Sequence, residues 1–96
     1  MCKLSLSKLR KEIDAIDEEL IKNLSKRTKI SLKIFLQKEK AGLKIKDSLR
    51  EKNLINSRLK KAKNSGLSKA FAQEIFNLII KESLRVQKKA LKKKTT

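Results

Sequence analysis

Two cations interrupt an otherwise apolar face in the first part of the chain. From Leu6 to Leu24, apolar residues recur every three or four positions, as they do on one face of an α-helix. Continuing that face at about 100° per residue brings Arg27 and Lys38 onto it, about three turns and roughly 16 Å apart along the axis. A buried cation without a counter-charge is costly. The two cations can be accommodated in three ways. They hold a small anion between them, they pair with carboxylates of a partner, or their long side chains extend to water.

A second polar group stands at the start of the second predicted helix. Asp47, Arg50 and Glu51 occupy positions i, i+3 and i+4, so they share one helix face. They suit ligand binding, but they also suit a capping box, in which Glu51 bonds back to the Ser48 amide and Asp47 interacts favourably with the helix dipole. The residues alone leave both readings open.

Two further polar residues, Ser83 and Gln87, lie one turn apart on the third predicted helix. They border the apolar arc that contains Phe76 and Ile79. Such residues usually mark the edge of a buried face, so by themselves they do not indicate a site.

Arg10 is separated from the other cations. It precedes Arg27 by seventeen residues, which on one helix is about 25 Å along the axis and roughly 100° away in direction. Arg10 therefore cannot join Arg27 in a small site of the same chain. It either serves a site of a neighbouring protomer or is an ordinary surface arginine.

Three helices are predicted to position these residues, which makes the fold all-α, with one long and two shorter helices. The first runs from Leu4 to about Lys40, and Gly42 is a left-handed terminator in the connection that follows. The second runs from Asp47 or Ser48 to about Lys63, and Ser68 caps the third. We expect a single domain over residues 1–96, with frayed termini at 1–3 and 88–96. The apolar positions of the second helix are Leu49, Leu54, Ile55, Leu59 and Ala62, and the predicted inner face of the third carries Phe71, Ile75, Leu78, Ile79 and Val86.

The first helix is too long for a compact domain of this size. At ~1.5 Å per residue it extends roughly 55 Å, whereas a compact globule of this length has a radius of gyration of about 12 to 13 Å. Much of its apolar face would remain in water in a single chain. The sequence therefore predicts that a second chain covers it.

Composition excludes several classes of function. The 96 residues contain no histidine and one cysteine, Cys2, so neither an intramolecular disulfide nor a metal-ligand cluster is expected. No apolar run approaches the ~18 residues of a membrane span, and no signal-peptide pattern opens the chain. A cytoplasmic protein without a membrane association is expected.

The net charge of +17 raises the alternative of a basic helical protein that binds nucleic acid. However, the cations are dispersed along the helices, with a dense run only from Lys88 to Lys94. Aromatic platforms for stacking bases are absent, and lysine outnumbers arginine, the residue that dominates direct base readout. Nucleic acid is therefore the less favoured partner, and a steep loss of duplex DNA binding with salt would be its signature.

An ordered set of these residues resembles the all-helical chorismate mutases of the AroQ class, over about residues 6 to 87. The set runs Leu9-Arg10-x-x-Ile13-x-x-Ile16-Asp17, Lys26-Arg27, Lys38, Asp47-x-x-Arg50-Glu51, Ile79-Ile80-x-x-Ser83 and Gln87. Each piece is common, but the order and spacing of the whole set are specific. The chain departs from the resemblance in its lysine excess and its basic C-terminal tail.

The resemblance implies an intertwined homodimer with two active sites and paired long helices. It also implies the Claisen rearrangement of chorismate to prephenate, a step towards phenylalanine and tyrosine. A pericyclic reaction needs no nucleophile, metal or cofactor. It needs only a substrate held in a folded conformation and stabilisation of the charge that develops as the ether bond breaks.

The resemblance also implies a role for each polar residue. Arg27 and, from the other protomer, Arg10 would bind the substrate carboxylates. Lys38 and Gln87 would donate hydrogen bonds to the ether oxygen. Glu51 and the backbone at Asp47 would hold the ring hydroxyl. Arg50 and Ser83 would complete the polar wall and the carboxylate site.

One alternative lies within the same fold. Relatives of these mutases act as isochorismate-pyruvate lyases with a similar cationic pocket. In those relatives an apolar residue stands where this chain has Glu51, so Glu51 favours the mutase.

Overall fold

The computed structural model describes residues 5–42 and 48–94, which form three α-helices. They are α1 (Leu6–Lys40), α2 (Ser48–Asn64) and α3 (Lys69–Lys94). Within these two ranges all regular secondary structure is helical. The predicted all-α class, with one long helix and two shorter ones, is confirmed.

Local hydrogen bonds set both ends of α1. Ser5 is its N-cap, and the Ser5 hydroxyl accepts a hydrogen bond of 3.1 Å from the Lys8 amide. At the other end, the Gly42 amide donates to the Glu39 carbonyl at 3.2 Å, and Gly42 has a φ of 71°. This left-handed conformation costs glycine little because it has no Cβ. The predicted terminator is thus confirmed, whereas the predicted start at Leu4 lies outside the described residues.

A tight connection folds α2 and α3 into an antiparallel hairpin. Gly66 has a φ of 84°, and the Leu67 amide donates to the Ala62 carbonyl at 2.9 Å. The Ser68 hydroxyl then accepts a hydrogen bond of 3.1 Å from the Phe71 amide, which confirms the predicted cap of α3. A connection this short makes the two helices neighbours of opposite direction.

The C-terminal half of α1 packs in parallel on α3. Arg27 donates a hydrogen bond to Ser83, and Gln87 donates one to Ser31. Moving four residues along α1 therefore corresponds to moving four residues along α3 in the same direction. The buried apolar residues include Phe35 of α1, Ala62 of α2 and Ala72 of α3. The core is therefore small and aliphatic apart from one phenylalanine, as expected for a chain without Tyr or Trp.

Two residues predicted on the inner face of the third helix are exposed in this chain, and so is one apolar residue of the second helix. Leu49 of α2 and Phe71 and Leu78 of α3 are 69%, 52% and 64% exposed, respectively. The inward placement of Phe71 and Leu78 was wrong for the single chain, because neither neighbouring helix covers those parts of α3. Periodicity identifies an apolar face, but it does not identify what covers it.

The C-terminal segment also differs from the expectation. Residues 88–96 were predicted to fray, but α3 continues to Lys94, and residues 95–96 lie outside the described ranges. The parallel packing explains the difference, since α1 extends to Lys40 beside this segment, and Ala90 and Leu91 are partly buried. The last turns of α3 therefore have a surface to pack against.

The N-terminal half of α1 projects away from the other helices. Every residue from Ser5 to Lys26 is exposed, including the apolar residues Ile13, Ile16 and Leu20. The chain measures 62 × 29 × 17 Å, and its radius of gyration of 17.7 Å well exceeds the ~12 to 13 Å of a compact chain of this length. The apolar stripe of α1 is consequently uncovered in the single chain.

Phe35 is expected to contribute more to stability than any exposed aromatic residue. It is 1% exposed, and truncating a buried phenylalanine to alanine costs about 3–5 kcal/mol. Phe35→Ala should lower the free energy of unfolding by about that amount in urea titrations followed by helical circular dichroism. Phe71→Ala removes the same atoms from a half-exposed position and should cost clearly less. Equal losses for the two variants would contradict the placement of the core.

Candidate active site

One cavity lies where the three helices meet, and it has a volume of about 290 Å³. This is close to the lower end of the ~300–1,000 Å³ typical of small-molecule sites. Apolar side chains from every helix form part of its wall, and charged and polar groups converge among them. The cavity is lined by Arg27, Ile30, Ser31, Ile34 and Lys38 of α1, Arg50, Glu51, Leu54 and Arg58 of α2, and Ile80, Ser83, Leu84 and Gln87 of α3.

Most of the predicted site residues meet at this cavity although they are far apart in sequence. Six of them line it: Arg27, Lys38, Arg50, Glu51, Ser83 and Gln87. Arg10 does not, and it is exposed on the projecting half of α1. Asp47 and the side chain of Ser48 lie outside the described residues, so the capping-box reading stays untested. Glu51 nevertheless lines the cavity, so its carboxylate is placed where it could contact a ligand.

Ser83 anchors the Arg27 guanidinium. Arg27 Nη1 donates to Ser83 Oγ at 3.2 Å, and the same hydroxyl donates to the Ile79 carbonyl at 3.2 Å. Ser83 is nearly fully buried, so its hydroxyl is held in a fixed position. One of the five N–H donors of Arg27 is thereby used, and the others remain for an anion in the cavity.

Ser31 orients the Gln87 amide. Gln87 Nε2 donates to Ser31 Oγ at 3.1 Å, one turn along from the contact between Arg27 and Ser83. An amide nitrogen carries two N–H donors, so one of them is used and one remains. Both side chains line the cavity. The arrangement presents a neutral donor whose strength does not depend on pH near neutrality.

Positive charge dominates the cavity wall. Four of the described lining residues are cations and Glu51 is the one carboxylate among them. The pKa of Arg27 is lowered from its ordinary value, chiefly by burial and then by repulsion from Arg58 and Arg50. A lowered pKa of a base means that its charged form is disfavoured, yet a guanidinium remains protonated at neutral pH. The repulsion between Arg27 and its two arginine neighbours therefore favours an anion in the cavity.

Two polar cavity residues were given no role from the sequence. Ser31 lies on the extended apolar face of α1, but only the tertiary contact with Gln87 gives it a function. Arg58 follows Arg50 and Leu54 at steps of four residues, so the three share one face of α2. That spacing was the signal available in the sequence for Arg58.

The described residues contain neither a membrane-spanning helix nor a metal-binding cluster of side chains. No helix in the described ranges is long and apolar enough to cross a membrane. No group of three or more His, Cys, Asp or Glu side chains there is placed to hold a metal ion.

The chorismate mutase type II family matches residues 9–88 of this chain. The chain belongs to this family. The match includes the described cavity residues, and it confirms the resemblance drawn from the ordered polar set. The three-helix fold agrees with the all-helical class.

Several curated proteins are similar to this member of the chorismate mutase type II family. The bifunctional chorismate mutase/prephenate dehydratase of Aquifex aeolicus is 39% identical over 90 residues, which is 88% of this chain and 24% of that protein. The protein of the same name from Buchnera aphidicola subsp. Acyrthosiphon pisum is 36% identical over 89 residues, or 93% of this chain and 23% of that protein. This family member thus spans about a quarter of the length of these bifunctional relatives.

A relative of similar length is also found. The chorismate mutase of Methanocaldococcus jannaschii is 28% identical over 86 residues, which is 90% of this chain and 87% of that protein.

The excess of cations predicts that a dianion stabilises this chorismate mutase type II chain. At ten times its dissociation constant, malonate should add about 1.4 kcal/mol and raise Tm by about 6 °C or more at constant ionic strength. Arg27→Gln should abolish most of this rise. Arg85→Gln is the matched control, because Arg85 is exposed and paired with Glu82 at 2.7 Å outside the cavity. An equal rise in both variants, or none with the unaltered chain, would argue against an anion site.

Proposed function

We propose that this cavity converts chorismate to prephenate, a step in the biosynthesis of phenylalanine and tyrosine. The observation that carries the proposal is the convergence of six polar residues, predicted from the ordered set, on one cavity between three helices. Membership of the chorismate mutase type II family supports the same assignment. The proposal includes a cytoplasmic location, which rests on the sequence expectation alone.

The proposed mechanism combines orientation with stabilisation of charge. Chorismate carries two carboxylates, and Arg27, held by Ser83, provides fixed donors for one of them. Arg50 extends the cationic wall from α2. The substrate is bound in a folded conformation, which brings together the two carbon atoms that form the new bond. The conformational entropy of the substrate is therefore lost on binding rather than in the reaction step. The apolar wall formed by Leu54, Ile80 and Leu84 supplies the rest of the shape.

Lys38 and Gln87 are the proposed donors to the ether oxygen. Negative charge develops on this oxygen as its bond to carbon breaks, so a donor there stabilises the transition state more than the ground state. Lys38 offers a charged donor from α1, and Gln87 offers the amide that Ser31 orients from the other side. Glu51 accepts a hydrogen bond from the ring hydroxyl, and the backbone at Asp47 helps to hold the same group. No residue forms a covalent bond to the substrate.

A homodimer is part of the proposal. The apolar stripe of α1 is uncovered in the single chain, with Ile16 64% exposed. Two cavity residues, Ile30 and Ile34, are also about half exposed, so the single chain leaves part of the cavity wall open. A second copy of α1 laid along the stripe would cover both surfaces, and it would bring Arg10 of the partner subunit to a site that the Arg10 of the same chain cannot reach.

Lys38→Ala is expected to lower kcat strongly. Removing one donor to a developing oxyanion costs on the order of 10² to 10³ in turnover in other enzymes. The measurement is the loss of chorismate absorbance on adding the protein, with circular dichroism to verify the fold. Lys29→Ala alters an exposed lysine outside the cavity and should retain normal turnover. A near-normal kcat for Lys38→Ala with an intact helical spectrum would contradict the proposed donation of a hydrogen bond by Lys38 to the ether oxygen.

The trans position of Arg10 is tested with mixed dimers. Arg10→Ala and Lys38→Ala each inactivate both sites of their own homodimer if each site combines Lys38 of one protomer with Arg10 of the other. A mixed dimer then has one site with both residues and one with neither. Unfolding and refolding an equal mixture should restore about a quarter of wild-type activity, given random pairing in a two-fold dimer.

The alternative predicts a different result from the same mixture. If Arg10 served its own chain, every site would lack one residue, and the activity would not exceed the average of the two variants. Native mass spectrometry of the refolded mixture, which separates the mixed dimer from the two homodimers by mass, verifies that subunits have exchanged.

A further inference from the structure

Arg58 is a cavity residue to which neither the family resemblance nor the proposed mechanism gives a role. It lies on α2, partly buried, and lines the same cavity as Arg27. Its Nη1 makes a long hydrogen bond of 3.5 Å to Ser57 Oγ. The guanidinium has five N–H donors, so most of its capacity remains for another acceptor.

The directions of the helices bring Arg58 and Arg27 towards one another. α1 is parallel to α3 and α2 is antiparallel to α3, so α1 and α2 run in opposite directions. Long helical side chains lean towards the N-terminus of their own helix. Arg27 therefore leans towards the end of the cavity where Ile80 lies, and Arg58 leans back into the cavity from that same end.

The electrostatics agree with this geometry. Among the charged neighbours that lower the pKa of Arg27, Arg58 acts more strongly than Arg50. Within the described ranges, no carboxylate forms an ion pair with Arg27 or Arg58. Two guanidinium groups that face one cavity repel each other, and a carboxylate placed between them removes the repulsion and accepts hydrogen bonds from both.

We propose that Arg27 and Arg58 of the same chain clamp one carboxylate of the dicarboxylate substrate at the Ile80 end of the cavity. Arg58 is then a further substrate-binding residue, and the partner's Arg10 is left for the second carboxylate. This inference rests on the proposed function, because it assigns a residue to the binding of the same substrate.

The clamp predicts a specific kinetic signature. The substrate carboxylate keeps its charge throughout the rearrangement, so Arg58 binds the ground state and the transition state about equally. Loss of such uniform binding raises KM and leaves kcat nearly unchanged. Arg58→Gln should raise KM for chorismate about 10- to 100-fold, as expected for a charge-assisted hydrogen bond. Arg58→Lys keeps the charge but not the planar fork, and it should raise KM less.

Two readouts separate failure of the clamp from failure of the proposed function. The first is steady-state turnover of chorismate, with Arg85→Gln as the control that should behave like wild type. The second is the Tm rise produced by malonate, which requires no turnover, and which Arg58→Gln should reduce. Circular dichroism verifies the fold of each variant, and Arg58→Lys replaces Arg58→Gln if the latter does not fold.

The outcomes are distinct. An active wild type whose KM changes less than two-fold in both Arg58 variants overturns the clamp and leaves the mutase function standing. A fall in kcat without a rise in KM also overturns it. A wild type without turnover refutes the proposed function, and the malonate response of Arg58→Gln then decides whether the two arginines bind a carboxylate.

Discussion

The parallel packing of α1 on α3 is the constraint on which the site depends. Two side-chain hydrogen bonds, Arg27 to Ser83 and Gln87 to Ser31, cross this interface one helical turn apart. They fix the axial position of one helix against the other and at the same time orient two of the groups proposed to contact substrate. Because a positional error of about 1 Å can cost a large factor in rate, the same contacts that assemble the fold also determine what the cavity can do.

Among the described residues that line the cavity, four cations face a single carboxylate, Glu51, so positive charge is in excess there. Burial and the neighbouring arginines lower the pKa of Arg27, so the chain bears an electrostatic cost when the cavity holds no anion. Strain of this kind is common at functional sites. The net charge of +17 adds a long-range attraction for an anionic ligand. In the proposed function, the lysines distributed over the surface assist encounter, while the arginines in the cavity bind the substrate.

The uncovered surfaces of the chain connect the cavity to the proposed dimer. The apolar stripe of α1 and the exposed cavity residues Ile30 and Ile34 lie on one continuous helix. A partner laid along this helix would therefore bury the stripe and close the cavity wall in a single association. On the proposed assembly, stability and activity depend on the same contact, since the hydrophobic area that favours dimerisation also brings the second arginine to the site.

The sequence by itself determined the features that depend on near neighbours, whereas the tertiary structure decided those that depend on distant ones. The caps at Ser68 and Gly42 are local, because their hydrogen bonds join residues three positions apart. The convergence of the polar set was predictable only through its ordered resemblance to a family, since spacing alone left each group with two readings. Exposure of Leu78, order in α3 beyond Gln87 and the approach of Arg58 to Arg27 required the packing of three helices. Their physical cause is the relative direction and coverage of helices, which no local pattern specifies.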